Sequence, residues 1–447
     1  MSGFEVAALS VVAMILLVYM GMHVAIVLAL TSFIGVWAIR GDFDIALTLL
    51  WGAVAKTIDS SVFAVVPLFV LMGSLAGVAG VGRDTYDLAH RVIGGIRGSL
   101  GMATVVANAI FASITGVSVA SAAIFAQLSV PEMLRHGYRT RFAVGVVAGS
   151  SVLGMLIPPS VLMIVYAVIA EQSIGDMFIA GIGPGLFLAA VYCLFIWIAA
   201  HRFPQYVFTD PAAHEKHGQH RETVPVAYSR AAWQQVTAVV GLVSIVMGGL
   251  YSGIFTTTEA AAGGAFASLL IAFLRRSLTW PSFYQVLRET GSVTAVVLFL
   301  IVGASMYSRM LGASGLPTEI SAWITSVEAS VWVLLAVYVL IILVLGTLID
   351  AISIMLIVVP IFLIVLAPFD VNLIWFGIIT IVAAEIGLLT PPFGLSAFVV
   401  HSSLKRPDIS LKDVFVGSGA FAIVMLIVLS VLIALPQITL FLVENKF

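Results

Sequence analysis

Two proline pairs, Pro158-Pro159 and Pro391-Pro392, interrupt apolar stretches at matching places in the two halves of the chain. A Pro-Pro pair removes two backbone donors and breaks the helical ladder. In hydrocarbon the polar groups freed by such a break have no water to bond to, so the break has to face protein or a wet cavity. The setting puts both breaks at that depth. Of 447 residues, 61% are hydrophobic and 9% charged, against about 25% charged in soluble domains. The chain therefore reads as an all-α polytopic protein of the inner (cytoplasmic) membrane, with the lipid bilayer as its main surroundings. A formal net charge of −2 gives no reason to expect a nucleic-acid partner. The single cysteine, Cys193, excludes an intrachain disulfide framework. Met1-Ser2-Gly3-Phe4-Glu5 lacks the basic start of a signal peptide, so the first apolar run is expected to stay as a helix.

Apolar runs of roughly 17–25 residues mark single crossings. They occur near 5–21, 23–39, 61–82, 142–170 and 177–200, and again near 236–253, 259–274, 291–311, 372–400 and 413–436. Two longer runs, 100–131 and 331–366, carry small polar residues in mid-run and read as re-entrant helical hairpins. The polar stretch 201–235 separates 1–200 from 236–447 as a cytoplasmic connector. Segments near 44–58, 83–98, 279–290 and 315–328 look amphipathic and are expected to lie along the interface. Each half then has scaffold helices, a hairpin and a proline-broken helix. With five crossings per half, the two repeats run inverted to one another. Placing the N-terminus in the periplasm leaves Arg40, Lys56, Arg309 and Lys446 outside and the other 16 of the 20 basic residues inside, as the positive-inside rule prefers. Hairpins that open to opposite sides, with broken helices beside them, point to a secondary carrier with its site between the repeats.

Two sets of residues line up for that chemistry. In the first half, Ser113, Thr115, Gly116 and Ser118 at the hairpin tip, with Gly154 and Pro158 at the break, offer hydroxyls and freed carbonyls. These are hard oxygen ligands suited to Na⁺. In the second half Gly346, Thr347, Asp350, Thr390 and Pro391 form the corresponding set. Ser121, Pro159, Ser160, Pro392 and Gly394 stand where half-helix ends can meet a substrate carboxylate, and Asp350 borders this set as well. Close packing of small residues is the bland alternative for any one Ser or Gly. Asp350 and Glu385 are the acids placed at membrane depth, where a carboxylate is costly and functional by default. Asp350 is read as a tip organiser or cation contact; Glu385 as a cap or pairing group within the core, with less weight. Arg309, near the outer end of its span and close in chain order to the second hairpin, can receive a carboxylate bidentately or lie at the interface. Thr258 is the candidate N-cap of the helix that carries Glu259.

Taken in order, these residues resemble the large membrane subunit of the tripartite ATP-independent periplasmic (TRAP) transporters, nearly end to end. The likeness is carried by Val66-Pro67-Leu68-Phe69-Val70-Leu71-Met72-Gly73, the hairpin tip followed by Val130-Pro131-Glu132-Met133, and Ile157-Pro158-Pro159-Ser160. It continues through Phe178-Ile179-Ala180-Gly181-Ile182-Gly183-Pro184-Gly185 and Thr258-Glu259-Ala260-Ala261, and closes with Glu385-Ile386-Gly387-Leu388-Leu389-Thr390-Pro391-Pro392-Phe393-Gly394. The tip Gly116-Val117-Ser118 departs from the Gly-Ser-Ser common in that family, and Thr256-Thr257-Thr258-Glu259 from its Thr-Pro-Thr-Glu. The resemblance implies a Na⁺-driven elevator importer of organic anions such as C4-dicarboxylates, with no cofactor beyond the coupling ion. It also implies two separate partners, a small four-helix membrane subunit and a periplasmic substrate-binding protein. A stand-alone ion-coupled anion carrier of related fold is the near alternative. An intramembrane enzyme is the remote one, since it needs a nucleophile and base or paired carboxylates at depth. The chain lacks a Gly-rich Lys-Ser/Thr phosphate loop, so direct use of ATP is not expected.

Overall fold

The structure is a computed structural model and describes residues 2–59, 62–210, 230–327 and 330–445. Residues 211–229 of the connector, Glu328 and Lys446 therefore lie outside the described residues. Within them the regular structure is helical, apart from one isolated bridge between Tyr138 and Phe208. Five described helices are long and apolar enough to cross a membrane: Ile174–Arg202, Thr257–Leu274, Trp280–Ala313, Ala351–Phe369 and Leu411–Ala434. Two bent pairs bring the number to seven, and shorter apolar helices such as Gly3–Tyr19 and Val24–Arg40 fall at other expected spans.

The helices sort into two groups by what they pack on. Gly3–Tyr19, Val24–Arg40, Phe43–Ile58, Val62–Val78, Thr257–Leu274 and Trp280–Ala313 pack chiefly on one another as a scaffold. The second group contains both hairpins, both broken helices, Ile174–Arg202 and Leu411–Ala434. Small residues let helices of this core meet closely. A Cβ on Gly145 would lie 2.4 Å from the Gly417 carbonyl oxygen, and one on Gly346 would lie 2.7 Å from the Gly387 Cα. In the scaffold, the Val62–Val78 helix bends by 67° into Val81–Ile93 at Gly80, whose φ is 78°. The elbow is tied by an ion pair from Arg275 to Asp84, and Arg275 also donates to the Ala79 carbonyl at 3.0 Å.

Three expectations change. The 279–290 segment is continuous with the 291–311 span, giving one 34-residue helix, Trp280–Ala313. Its single proline, Pro281, sits in the first turn, where a missing N–H costs nothing, so nothing stops the helix at 290. The helix carrying Glu259 is capped two residues before the expected cap. Thr256 is the N-cap, with its Oγ1 accepting from the Glu259 N–H at 3.3 Å while Glu259 accepts from the Thr256 N–H at 2.8 Å. That reciprocal box satisfies two otherwise unpaired donors, which a cap at Thr258 cannot do with Glu259 one residue away. Third, the first hairpin is two helices, Ser99–Thr115 and Ser118–Arg135, so it extends four residues past 131, with Pro131 inside the second.

Candidate functional site

At the first hairpin Gly116 ends the incoming helix in the left-handed conformation, φ 65°, which glycine adopts without steric cost. Its carbonyl accepts the Val161 N–H at 3.2 Å, so the tip is sewn to the segment just past Pro158-Pro159. The approach leaves no room: a Cβ at Gly116 would stand 2.4 Å from the Pro159 oxygen, and one at Gly154 would stand 2.9 Å from the Ser118 Cα. Gly73 of the scaffold closes on the other side, where a Cβ would lie 3.0 Å from the Thr115 Cα. Ser113 and Thr115 donate to the Ile110 and Phe111 carbonyls at 2.6 and 3.1 Å. Each hydroxyl spends its proton inside the helix and keeps oxygen lone pairs. Ser160 caps Val161–Ile169 and accepts from the Met163 N–H at 3.3 Å. The structure thus brings Ser113, Thr115, Gly116, Ser118, Gly154, Pro158, Pro159 and Ser160 into one buried neighbourhood, and Ser121 lies one turn beyond Ser118.

The second hairpin repeats the construction with different parts. Val331–Gly346 leads into Thr347-Leu348-Ile349, and Asp350 caps Ala351–Leu366. The Thr347 carbonyl accepts the Phe393 N–H at 3.2 Å, sewing this tip to the second proline break as Gly116 is sewn to the first. Asp350 accepts from the Ser353 N–H at 3.0 Å and from the Ser353 hydroxyl. Thr347 and Thr390 donate to Val344 and Ile386 carbonyls, each at 2.8 Å. Gly394, φ 34°, opens the next helix, Leu395–Leu404. Both proline pairs have a cis bond between their members.

The two acids exchange the weights they carried in the sequence. Asp350 is an exposed helix cap, whereas Glu385 is 0% exposed and accepts from the Ser118 hydroxyl at 3.3 Å. That bond joins the second broken helix to the first hairpin across 267 residues of chain, a contact that neither residue's neighbours in sequence announce. Arg309 is not grouped with the second hairpin. It donates to the Gly52 carbonyl at 3.4 Å and lines a cavity of about 720 Å³ with Lys56, Glu171, Asp176, Thr256 and Ser308. Lys56, which sequence reasoning left aside, pairs there with Glu171 at 3.6 Å and ties a scaffold helix to the turn after the first broken helix.

Two hairpins stitched to two proline breaks form the core, and comparison with known proteins places that core. Residues 11–438 match the family described as tripartite ATP-independent periplasmic transporter, DctM component. The chain belongs to the DctM family of TRAP transporters. Among its relatives, the C4-dicarboxylate TRAP transporter large permease protein DctM of Pseudomonas aeruginosa is 34% identical over 86% of this chain and 87% of its own. The sialic acid TRAP transporter large permease protein SiaM of Vibrio cholerae is 31% identical, covering 87% of each chain. The ectoine TRAP transporter large permease protein TeaC of Halomonas elongata is 30% identical over 98% and 99%. These relatives are transporter permeases, and this DctM-family chain is a multi-pass membrane protein of that class. In fold it is similar to the Alcanivorax borkumensis YdaH transporter, with a TM-score of 0.60 over 88% of each chain at 12% identity.

Proposed function

We propose that this chain is the large permease subunit of a Na⁺-coupled importer that moves an organic anion by an elevator-type exchange of access. The observation that carries the reading is the pair of stitched breaks in unlike surroundings, the first buried throughout and the second exposed. A carrier needs one core that meets opposite sides in turn, and such a core has two equivalent gates of which one is closed at a time. The division into a scaffold group and a core group supplies the two bodies that such a motion requires.

Ser113, Thr115, Ser118 and the carbonyls near Gly154 and Pro158 fit a sodium site, because their oxygens are hard; the Ser113 and Thr115 protons point back into their helix, and the Ser118 proton goes to Glu385. Thr347, Thr390, Gly346, Pro391 and Asp350 fit a second. Bound Na⁺ would supply positive charge where an anion has to be held. Pro159, Ser160, Pro392 and Gly394 border the space proposed for the substrate between the tips. Arg309 and Lys56 in the outer cavity attract the anion on its way in, and a guanidinium holds a carboxylate bidentately. The relatives named for C4-dicarboxylates and sialic acid support an organic carboxylate as the substrate class. By the same family argument a small four-helix membrane subunit and a periplasmic binding protein complete the machine, and the excess of basic residues on one side supports a periplasmic N-terminus.

The test is uptake into proteoliposomes containing both membrane subunits, with the binding protein and its carboxylate added outside. Uptake is expected only with an inward Na⁺ gradient. Equal uptake in choline or potassium medium contradicts sodium coupling, and uptake that needs no binding protein contradicts the tripartite reading. A cysteine at Arg135 is expected to label from the cytoplasmic side alone; labelling from outside reverses the topology.

A further inference from the structure

We infer that Glu385 is the anionic ligand of a monovalent metal-cation site shared by the first hairpin tip and the second broken helix, a role that rests on the sodium-coupled reading. Glu385 is 0% exposed, and its Oε1 receives one long hydrogen bond from Ser118 at 3.3 Å. Its Oε2 has no protein hydrogen-bond partner, although the atom is fully enclosed. Among the described residues no Lys, Arg or His forms an ion pair with it. Tyr192 stands within its electrostatic reach but donates its hydroxyl to the Phe421 carbonyl at 3.4 Å.

A buried carboxylate with one weak donor is costly unless it takes up a proton or a cation completes it. A second enclosed oxygen, Ser121 Oγ, also lacks a protein partner and lies one helical turn beyond Ser118. Carboxylate and hydroxyl oxygens form the hard donor set that an alkali cation takes. Because Ser118 opens the second helix of the hairpin and Glu385 belongs to the other half, a cation held between them makes closure of the first gate depend on occupancy. That is a direct route from ion binding to conformation.

The purified complex of large and small membrane subunits tests this by thermal stability in rising NaCl, with choline chloride holding ionic strength constant. The wild-type complex is expected to gain stability with Na⁺. Glu385→Gln, which keeps size and hydrogen bonding but removes the charge, is expected to raise the Na⁺ midpoint by about tenfold or more. Glu385→Asp should shift it less. A Glu385→Gln complex with the wild-type midpoint overturns the inference and leaves sodium coupling standing. A wild type indifferent to Na⁺ overturns both. Should Glu385→Gln fail to assemble, Glu385→Asp, which keeps the charge but shortens its reach, carries the test; a raised midpoint supports the site, and an unchanged one contradicts it.

Discussion

Every residue from Ser151 to Ser160 is buried, while Pro391, Pro392 and Phe393 are exposed, Phe393 by 66%. The local chemistry of the two regions is nearly the same. Each has a cis proline pair, a hairpin tip whose carbonyl accepts an N–H just past the prolines, and hydroxyls folded back on their own helix. What differs is the neighbour. Gly73 lets the scaffold press directly on the first tip at Thr115. At the second tip the tight contact is inside the core, between Gly346 and Gly387. Local sequence therefore sets how each stitched break is built, and tertiary packing sets whether it is buried.

The largest expected break in this comparison comes from its glycines. Gly116→Ala places a methyl 2.4 Å from the Pro159 carbonyl, backbone against backbone, on a residue at φ 65°. The left-handed backbone alone costs about 1–2 kcal/mol, and the clash adds to it, so uptake should be abolished and thermal stability should fall. Gly394→Ala, at φ 34°, carries backbone strain as well, but its methyl meets the Phe415 ring at 2.4 Å, a side chain that can turn aside, so uptake should be lost only in part. Equal losses at the two positions would remove the distinction between a packed gate and a loose one.

Asp350 comes next, because its cap and its charge can be separated. Asp350→Ala should lose about 1 kcal/mol of stability as an N-cap and also lose uptake. Asp350→Asn keeps capping ability, so its stability should match wild type while uptake still fails. Wild-type uptake in Asp350→Asn would reduce Asp350 to a helix cap and leave the second gate to hydroxyls and backbone.

Much of this was legible because proline and glycine act locally. A Pro-Pro pair breaks a helix wherever it stands, so Pro158-Pro159 and Pro391-Pro392 located both helix breaks without any knowledge of packing. The positions of the hairpins followed from small polar residues in apolar runs, although the first runs on to Arg135. The role of Glu385 was not legible, because its partner Ser118 is 267 residues away and one acid in an apolar helix names no partner. The surroundings of Arg309 were missed for the same reason. Nearness in sequence to the second hairpin suggested one vestibule, but a continuous 34-residue helix carries Arg309 to Gly52 and the Lys56–Glu171 pair. Thr256 was within reach of sequence reasoning, since Thr-x-x-Glu is the capping-box spacing.

A smaller effect belongs to Arg309, which lies outside both gates. Arg309→Ala should raise the apparent KM for the anion by about tenfold, the scale of one charge-assisted hydrogen bond. The maximal rate and thermal stability should stay close to wild type. A fall in maximal rate with unchanged KM would move Arg309 from the entry cavity into the moving parts.

Exchange of access between the two breaks is tested most directly by thiol labelling. In a Cys193→Ser background, single cysteines at Ser160 and Phe393 are exposed to a water-soluble maleimide in the assembled complex. At rest the cysteine at 393 should react quickly and the one at 160 slowly. During turnover, with Na⁺, binding protein and substrate present, reactivity at 160 should rise. A cysteine at 160 that reacts as fast as the one at 393 at rest, and does not respond to turnover, would contradict the account.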